Sequence, residues 1–397
     1  MAKTLITDSS EGTSTPFLRG ILTRSLTEAG MPFEQAYQLA TDIRQQISHK
    51  TNLSTQELRR LVLTELRKIK AQEILEIYEQ NLPTPRVMVR SRSGQISPFA
   101  RIEHRRSLTS TGLPADKAAL ITQSIYQHLV DRQRTEVDSN RIGRLTYDEL
   151  KRQFDKETAT RYLVWIDYKR GRRPLVMLIG GTTGCGKSTI ATEVAHRLGI
   201  IRTQSTDMLR EVMRMLIPER LLPALHTSSF NAWRKMPSFK EMKEASEEMM
   251  INGYLHQSEL VSVPCEAVIH RALSERVSLI VEGVHVHPGL IERFRKNSNA
   301  VIVPVMLAVL KQDTLKRQLK GRGVTAPDRD AQSKYLSNFD SIWALQSYLL
   351  SEADNSAVQI LENDDKDTTT DRVMRAIIEV LQRDFDAKAD EVFSGNS

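Results

Sequence analysis

Gly181-Thr182-Thr183-Gly184-Cys185-Gly186-Lys187-Ser188 follows the apolar run Leu175-Val176-Met177-Leu178-Ile179 and precedes a helical pattern over residues 189–198. Glycines at 181, 184 and 186 let the backbone turn so that successive N–H groups converge, and the helix that follows adds its positive N-terminal end. A buried strand, a turn of this spacing and a helix opened by Lys-Ser together form a phosphate-binding loop. In such a loop Lys187 reaches the β- and γ-phosphates of ATP, and Ser188 is a ligand of Mg²⁺. Gly181, Thr182, Thr183, Gly184, Cys185, Gly186, Lys187, Ser188 and Thr189 are therefore the expected ATP-binding residues.

Outward from this loop, strands and helices alternate, the pattern of a parallel sheet with helices on both faces. Strands are expected over residues 175–179, 200–205, 277–281, 300–310 and 358–361, which makes five. Asp207 follows the second and Glu282 ends the third, the carboxyl ends of strands where open α/β sheets place ligands. A carboxylate there binds Mg²⁺ or positions an attacking hydroxyl. Thr206 or Asp207 also suits a helix cap, with Arg210 and Arg214 one turn apart on the helix surface. His285 and His287 alternate on an apparent strand extension and are expected to face the substrate; they carry no zinc-ligand spacing. Gly321-Arg322-Gly323, followed by Pro327-Asp328-Arg329, reads as a mobile segment able to close over phosphates.

Residues 1–150 contain a repeat. Pro16-Phe17-Leu18-Arg19 returns as Pro98-Phe99-Ala100-Arg101, an offset of 99 − 17 = 82. Leu53-Ser54-Thr55-Gln56-Glu57-Leu58 matches Leu145-Thr146-Tyr147-Asp148-Glu149-Leu150 at 145 − 53 = 92, which puts ten extra residues in the second copy, in a polar loop around residues 131–144. Apolar stripes such as Ala36, Leu39, Ala40 and Ile43 make both copies read as helices. Gly30-Met31-Pro32 and Gly112-Leu113-Pro114 end the first helix of each. The copies divide near Asn81-Leu82-Pro83, and Lys169-Arg170-Gly171-Arg172-Arg173-Pro174 reads as a linker into the sheet domain.

A chain of 397 residues accommodates two or three domains. No apolar run approaches the roughly 18 residues of a membrane span, and the first residues carry no export signal. Cys185 and Cys265 are too few for a disulfide framework, so a cytoplasmic setting is expected. The net charge of +7 is spread along the chain, with only 6% aromatic residues, so anionic small molecules rather than nucleic acid are the expected partners. Whether the chain forms a homo-oligomer is open.

The second copy opens with Arg86-Val87-Met88-Val89-Arg90-Ser91-Arg92-Ser93-Gly94-Gln95-Ile96-Ser97-Pro98-Phe99, an alternating strand, a glycine turn and a Pro-Phe helix entry. It resembles the ATP-cone, a regulatory nucleotide-binding module; the resemblance places that family's basic residues at Arg90 and Arg92. The first copy has no such basic strand. Five further segments match one family together: the phosphate loop, Ser205-Thr206-Asp207 with Arg210-Glu211-Val212-Met213-Arg214, Ser228-Ser229-Phe230-Asn231-Ala232-Trp233, Val281-Glu282-Gly283-Val284-His285, and Leu361-Glu362-Asn363. The ensemble resembles the 2-phosphoglycerate kinase family, whose archaeal members make 2,3-bisphosphoglycerate from 2-phosphoglycerate and ATP.

That resemblance implies an α/β P-loop kinase domain with a five-stranded parallel sheet over residues 171–397. A mainly α-helical region of two repeated ATP-cone-like units, 1–82 and 83–170, precedes it. It also implies roles. Lys187, Mg²⁺ and the lid arginine Arg322 balance the triphosphate, and Asn363 joins the ATP site. Arg210 and Arg214 clamp the acceptor's phosphate and carboxylate, with His285 and Arg329 beside them. Asp207 orients or deprotonates the acceptor hydroxyl and Glu282, with Ser188, serves the metal, or the two carboxylates exchange roles. A kinase of another small phosphorylated or polyol acceptor, and a nucleotide-sensing protein with its P-loop as a switch, are the alternatives.

Overall fold

The computed structural model describes residues 4–8, 13–28, 31–69, 74–75, 87–131, 136–171, 173–236, 246–295, 299–325, 335–383, 385–386 and 388–394. The chain divides into two compact units, Met1–Arg86 and Val87–Ser397. In the first, β1 (Leu5–Asp8) pairs antiparallel with β2 (Thr13–Pro16) and parallel with β3 (Asn52–Ser54), giving the order β2-β1-β3. Helices α1 (Arg19–Glu28), α2 (Phe33–Gln46) and α3 (Thr55–Lys68) pack around Leu26, Ala36, Ile43, Val62 and Leu66. Ser54 and Glu57 form a capping box that starts α3, each side chain satisfying the other's backbone N–H. The helical stripes are as expected; the sheet is an addition, because three- and four-residue strands are too short to show a period.

The second unit opens with the same design. β4 (Met88–Arg90) pairs antiparallel with β5 (Ile96–Pro98) and parallel with β6 (Glu136–Asp138), and α4 (Arg101–Thr109), α5 (Ala115–Asp131), α6 (Ser139–Gln153) and α7 (Lys156–Gly171) complete it. Gly112, at φ +75°, supplies the left-handed turn between α4 and α5. The pairing register corrects the repeat. Leu5 lies opposite Asn52 as Met88 lies opposite Glu136, so β3 corresponds to β6 at 136 − 52 = 84, and the second copy is two residues longer, not ten. Leu145 to Leu150 sits inside α6, and the expected polar loop holds β6 and the start of α6.

Where a linker is suggested, α7 continues through Lys169 and Arg170. One face of α7 buries Tyr162 and Leu163 in the core of this second copy, while Val164 and Trp165 enter the core of the sheet that follows. That sheet contains β7 (Leu175–Gly180), β8 (Arg202–Ser205), β9 (Leu279–Glu282), β10 (Val301–Ala308) and β11 (Gln359–Glu362), all parallel, in the order β11-β10-β7-β9-β8. Alternate residues of β7 serve opposite cores: Leu175, Met177 and Ile179 on one face, Val176 and Leu178 on the other. A strand apolar at every position is what two covered faces require. α8 (Lys187–Leu198) packs on the first face; α9 (Thr206–Leu216) contacts the second. α10 (Glu247–Ser274) and α11 (Pro288–Arg295) cover that second face.

α12 (Gln312–Thr325), α13 (Phe339–Asn355), α14 (Lys366–Gln382) and the short α15 (Ala389–Phe393) follow. The expected mobile segment at Gly321 to Gly323 is the last turn of α12. The side chain of Arg322 and the whole of Arg329 lie outside the described residues. Among the described residues no helix is long and apolar enough to cross a membrane, and Cys185 and Cys265 are free thiols.

Candidate active site

β7 enters the phosphate loop and α8 leaves it. Gly186 is the N-cap of α8, at φ +87°, with no side chain bonded to the first-turn N–H groups. Those donors are the ones a phosphate takes at a helix start. A Cβ at Gly186 would meet Asn363 Nδ2 at 2.1 Å, and Asn363 Nδ2 donates to Cys185 O at 2.8 Å. Asn363, buried past the end of β11, thus braces the loop through this bond. Thr182 has the same character: it is fully buried, and its hydroxyl donates to Ile342 O on α13. Lys187 Nζ donates to Thr182 O at 2.8 Å, so its ammonium is held at the loop's own mouth.

Ser188 and Glu282 meet. Ser188 Oγ donates to Glu282 Oε1 at 2.9 Å, and β9 places that carboxylate opposite Ile179 of β7 and Ser205 of β8. One hydroxyl and one carboxylate suit Mg²⁺, which keeps several waters and takes the rest of its octahedron from phosphate oxygens. Asp207 stands at the start of α9, beyond the end of β8, with its side chain 64% exposed and Arg210 Nε 3.9 Å away. Ser205 is the N-cap of α9 and makes no side-chain bond, so neither Thr206 nor Asp207 acts as a cap.

The arginines of α9 are placed differently from the expected clamp. Arg210 Nη1 donates to Leu225 O and Thr227 O at 2.9 and 3.1 Å, and Nη2 to Glu211 at 3.0 Å. Its donors are engaged within the chain, fastening the 3₁₀ turn Pro223–His226 and the residue after it, Thr227, to α9. Arg214 pairs with Glu211 at 2.6 Å and is partly exposed.

His285 is also a fastener. It is fully buried, with Nδ1 3.0 Å from Thr206 Oγ1 and Nε2 3.0 Å from Gln257 Oε1. Gln257 Nε2 donates to Ala224 O and to Thr227 O, which fixes Oε1 toward the ring. The ring therefore carries its proton on Nε2, and Nδ1 accepts from the Thr206 hydroxyl. Burial holds the imidazole neutral, its pKa pushed down to about 3. Thr206, His285 and Gln257 thus tie the ends of β8 and β9 to the turn at Thr227. Tyr254 adds a bond from its hydroxyl to Val284 O at 2.8 Å. The chain between Glu282 and α11 is a bend and turn, not a strand extension, and His287 is buried with Nδ1 accepting from Gly289 N.

Sequence reasoning missed Gln257. It is fully buried on α10 between the buried residues Tyr254 and Val261. A lone amide among the small and apolar residues of the buried face is the signal that would have found it, since a buried amide needs partners.

The ATP cone domain family matches residues 87–170. A curated 2-phosphoglycerate kinase of Pyrococcus horikoshii is 35% identical over 71% of this chain and 90% of its own length, and that of Pyrococcus furiosus 35% identical over 74% and 94%. A gluconokinase structure from Sinorhizobium meliloti aligns with 53% of this chain and 93% of its own at 12% identity and a TM-score of 0.28, too remote to carry an argument. At 35% identity over more than two thirds of this chain and nine tenths of their own length, these relatives show that the chain belongs to the 2-phosphoglycerate kinase family.

Proposed function

We infer that the protein transfers the γ-phosphoryl group of ATP to the hydroxyl of 2-phosphoglycerate, giving 2,3-bisphosphoglycerate and ADP. The relatives' names supply the acceptor. The observation that supports the chemistry is the Ser188–Glu282 bond at the exit of the phosphate loop, with Asp207 exposed at the start of α9, just past the neighbouring strand β8. Phosphoryl transfer asks for positioning and charge neutralisation more than for covalent help.

Lys187 would balance charge on the β- and γ-phosphates, and the uncapped first-turn N–H groups of α8 would cradle them. Ser188 and Glu282 would hold Mg²⁺, which when bound neutralises phosphate charge. That leaves Asp207 to orient the acceptor hydroxyl and take its proton. Arg214, Arg322 in the last turn of α12, and Arg329 would be the cations for the acceptor and the leaving phosphates. Arg210, His285 and Asn363 would act through the segments they fasten. The cone at 87–170 would bind a regulatory nucleotide, and the first unit would be a degenerate copy that does not.

The test is purified protein with Mg·ATP and a panel of phosphorylated three-carbon acids, read by phosphorus NMR. Conversion of 2-phosphoglycerate to a product with two phosphomonoester resonances is expected. Turnover of another acceptor in preference to 2-phosphoglycerate would overturn the assignment. Lys187→Ala should lower kcat at least 10²-fold, the scale of losing one preorganised electrostatic group. Arg210→Ala should instead raise the acceptor KM with ATP affinity unchanged, as expected of a residue that shapes the acceptor side.

A further inference from the structure

After α14 the chain returns to the cone and occupies it. Val392 and Phe393 of α15 are buried in the cone core beside Leu150 and Tyr162. Three basic residues from different elements grip this segment. Arg92, at the β4–β5 turn, donates from Nη2 to Val392 O at 3.0 Å and Ser394 O at 3.4 Å, and from Nε to Asn140 Oδ1 at 2.8 Å. Arg170, in the last turn of α7, donates to Val392 O and, at 3.2 Å, to Asn140 Oδ1. Arg144 of α6 pairs with Asp390.

Arg92 and Arg170 therefore lie together, and among the described residues their hydrogen bonds go to neutral oxygens. Arg90, by contrast, is paired with Glu136 at 2.5 Å. Two adjacent guanidiniums satisfied only by amide carbonyls form an anion site held by a weak substitute, because charge-assisted bonds to phosphate are roughly twice as strong as bonds to neutral acceptors. Guanidinium forks match phosphate geometry.

We propose that residues 389–394 are a built-in competitor for a nucleoside polyphosphate at the cone, with Arg92 and Arg170 holding the backbone carbonyls of Val392 and Ser394 in one state and phosphate oxygens in the other. This rests on the reading of the cone as a nucleotide site and adds to it the contribution of Arg170 and the exchange with the chain's own end. The segment continues from α14, whose Asp371 pairs at 2.5 Å with Arg197 near the end of the phosphate-loop helix α8. Occupancy of the cone thereby bears on the anchoring of an element that packs against the kinase site. Linkage makes the effect mutual: whatever tightens the segment weakens nucleotide binding by the same factor.

Gly143 provides the means to test it. A Cβ there would lie 2.5 Å from the Phe393 ring, so Gly143→Ala expels the ring while improving the helix propensity of α6. Phe393→Asp detaches the segment by a second route. Both are made in the full chain carrying Lys187→Ala, which weakens the phosphate-loop site. Equilibrium dialysis with labelled ATP reads the cone, and hydrogen exchange reads residues 389–394. The expected result is faster exchange of 389–394 on adding ATP to the parent. A gain in ATP affinity on the order of tenfold is expected in either release variant, as a larger competent fraction dictates, with loss of binding in Arg92→Ala. ATP binding at the cone with 389–394 still protected and no gain on release would overturn the competition and leave the cone a nucleotide site. Absence of cone binding even with the segment free would overturn both, while the kinase reaction stands on its own assay.

Discussion

The two N-terminal modules share strand order and helix succession yet differ at three buried positions. At the shared offsets, Leu26, Ala36 and Leu66 of the first correspond to Leu108, Ala118 and Leu150 of the second, all buried. Leu22, Ala40 and Val62, however, correspond to His104, Thr122 and Thr146. The first module fills its centre with hydrocarbon. The second places an imidazole there, Nδ1 3.0 Å from Thr122 Oγ1 and Nε2 2.9 Å from Thr146 Oγ1. A neutral ring has one donor and one acceptor, so one threonine hydroxyl must turn to it instead of to its own i−4 carbonyl. The hairpins differ too: Thr7 stands in β1 where β4 has Arg90. The apolar positions common to both are enough for the fold, and ligand chemistry is added to it residue by residue.

They also differ in attachment, which sets the largest expected effect. Removing residues 1–86 takes away a unit with its own core; the remaining chain should unfold in one sharp transition and keep its kinase activity. Cutting instead after residue 171 strips Val164 and Trp165 from the sheet core and uncovers Val392 and Phe393. Large-to-small changes at such sites cost about 2–5 kcal/mol each, and the total stability of a domain is about 5–15 kcal/mol. The 172–397 fragment should therefore be insoluble or lack a cooperative melt by circular dichroism. A sharp melt from that fragment would show that α7 is dispensable to the sheet.

A matched pair sharpens the comparison at smaller scale. Leu26 and Leu108 are equivalent and fully buried. Either residue changed to Ala should cost about 2–5 kcal/mol. Leu26→Ala should lower a transition belonging to the first unit and spare the heat tolerance of the kinase activity, whereas Leu108→Ala should lower both the melt of the second unit and the temperature at which activity fails. Loss of kinase heat tolerance in Leu26→Ala would mean the units do not melt separately.

The sheet was legible in the sequence because its strands are continuous apolar runs and its loop has fixed spacing; Ser188 could be placed from that spacing, and Glu282 and Asp207 from the ends of their strands. The second module's alternating strand and glycine turn could be read as well, but the first module's hairpin could not, since strands of four residues without such a turn signal leave no period. The repeat offset went wrong for a related reason. A six-residue pattern ending in Glu-Leu recurs on any amphipathic helix, and only the pairing of Leu5 with Asn52 and Met88 with Glu136 sets the true register. The hydrogen-bond partners of Arg210, His285 and Asn363 were hidden because a guanidinium, an imidazole or an amide near a phosphate loop looks the same in sequence whether it faces the ligand or another group of the chain.

The smallest effect concerns the polar triad, and its sign follows from burial. His104 is desolvated, and its pKa is pushed down to about 4. In the unfolded chain it titrates near 6.5. Between those values the unfolded state binds more protons, so stability is complete above pH 6.5 and is lost as pH falls toward 4, by about 1.4 kcal/mol per pH unit. His285 adds a slope of the same sign, so the informative quantity is the difference between parent and variant. His104→Leu installs the residue that the first module uses, and both threonines can return their hydroxyls to Ala118 O and Ile142 O. Near pH 7 it should change the unfolding free energy by less than about 1.5 kcal/mol, as volume-conserving core changes do. At pH 4 it should be the more stable of the two by about 3 kcal/mol relative to that baseline. Urea unfolding of residues 87–397 at both pH values measures this directly. Parallel pH profiles for parent and variant would mean that the imidazole is not held neutral, and the two modules would then differ in charge at their centres as well as in polarity.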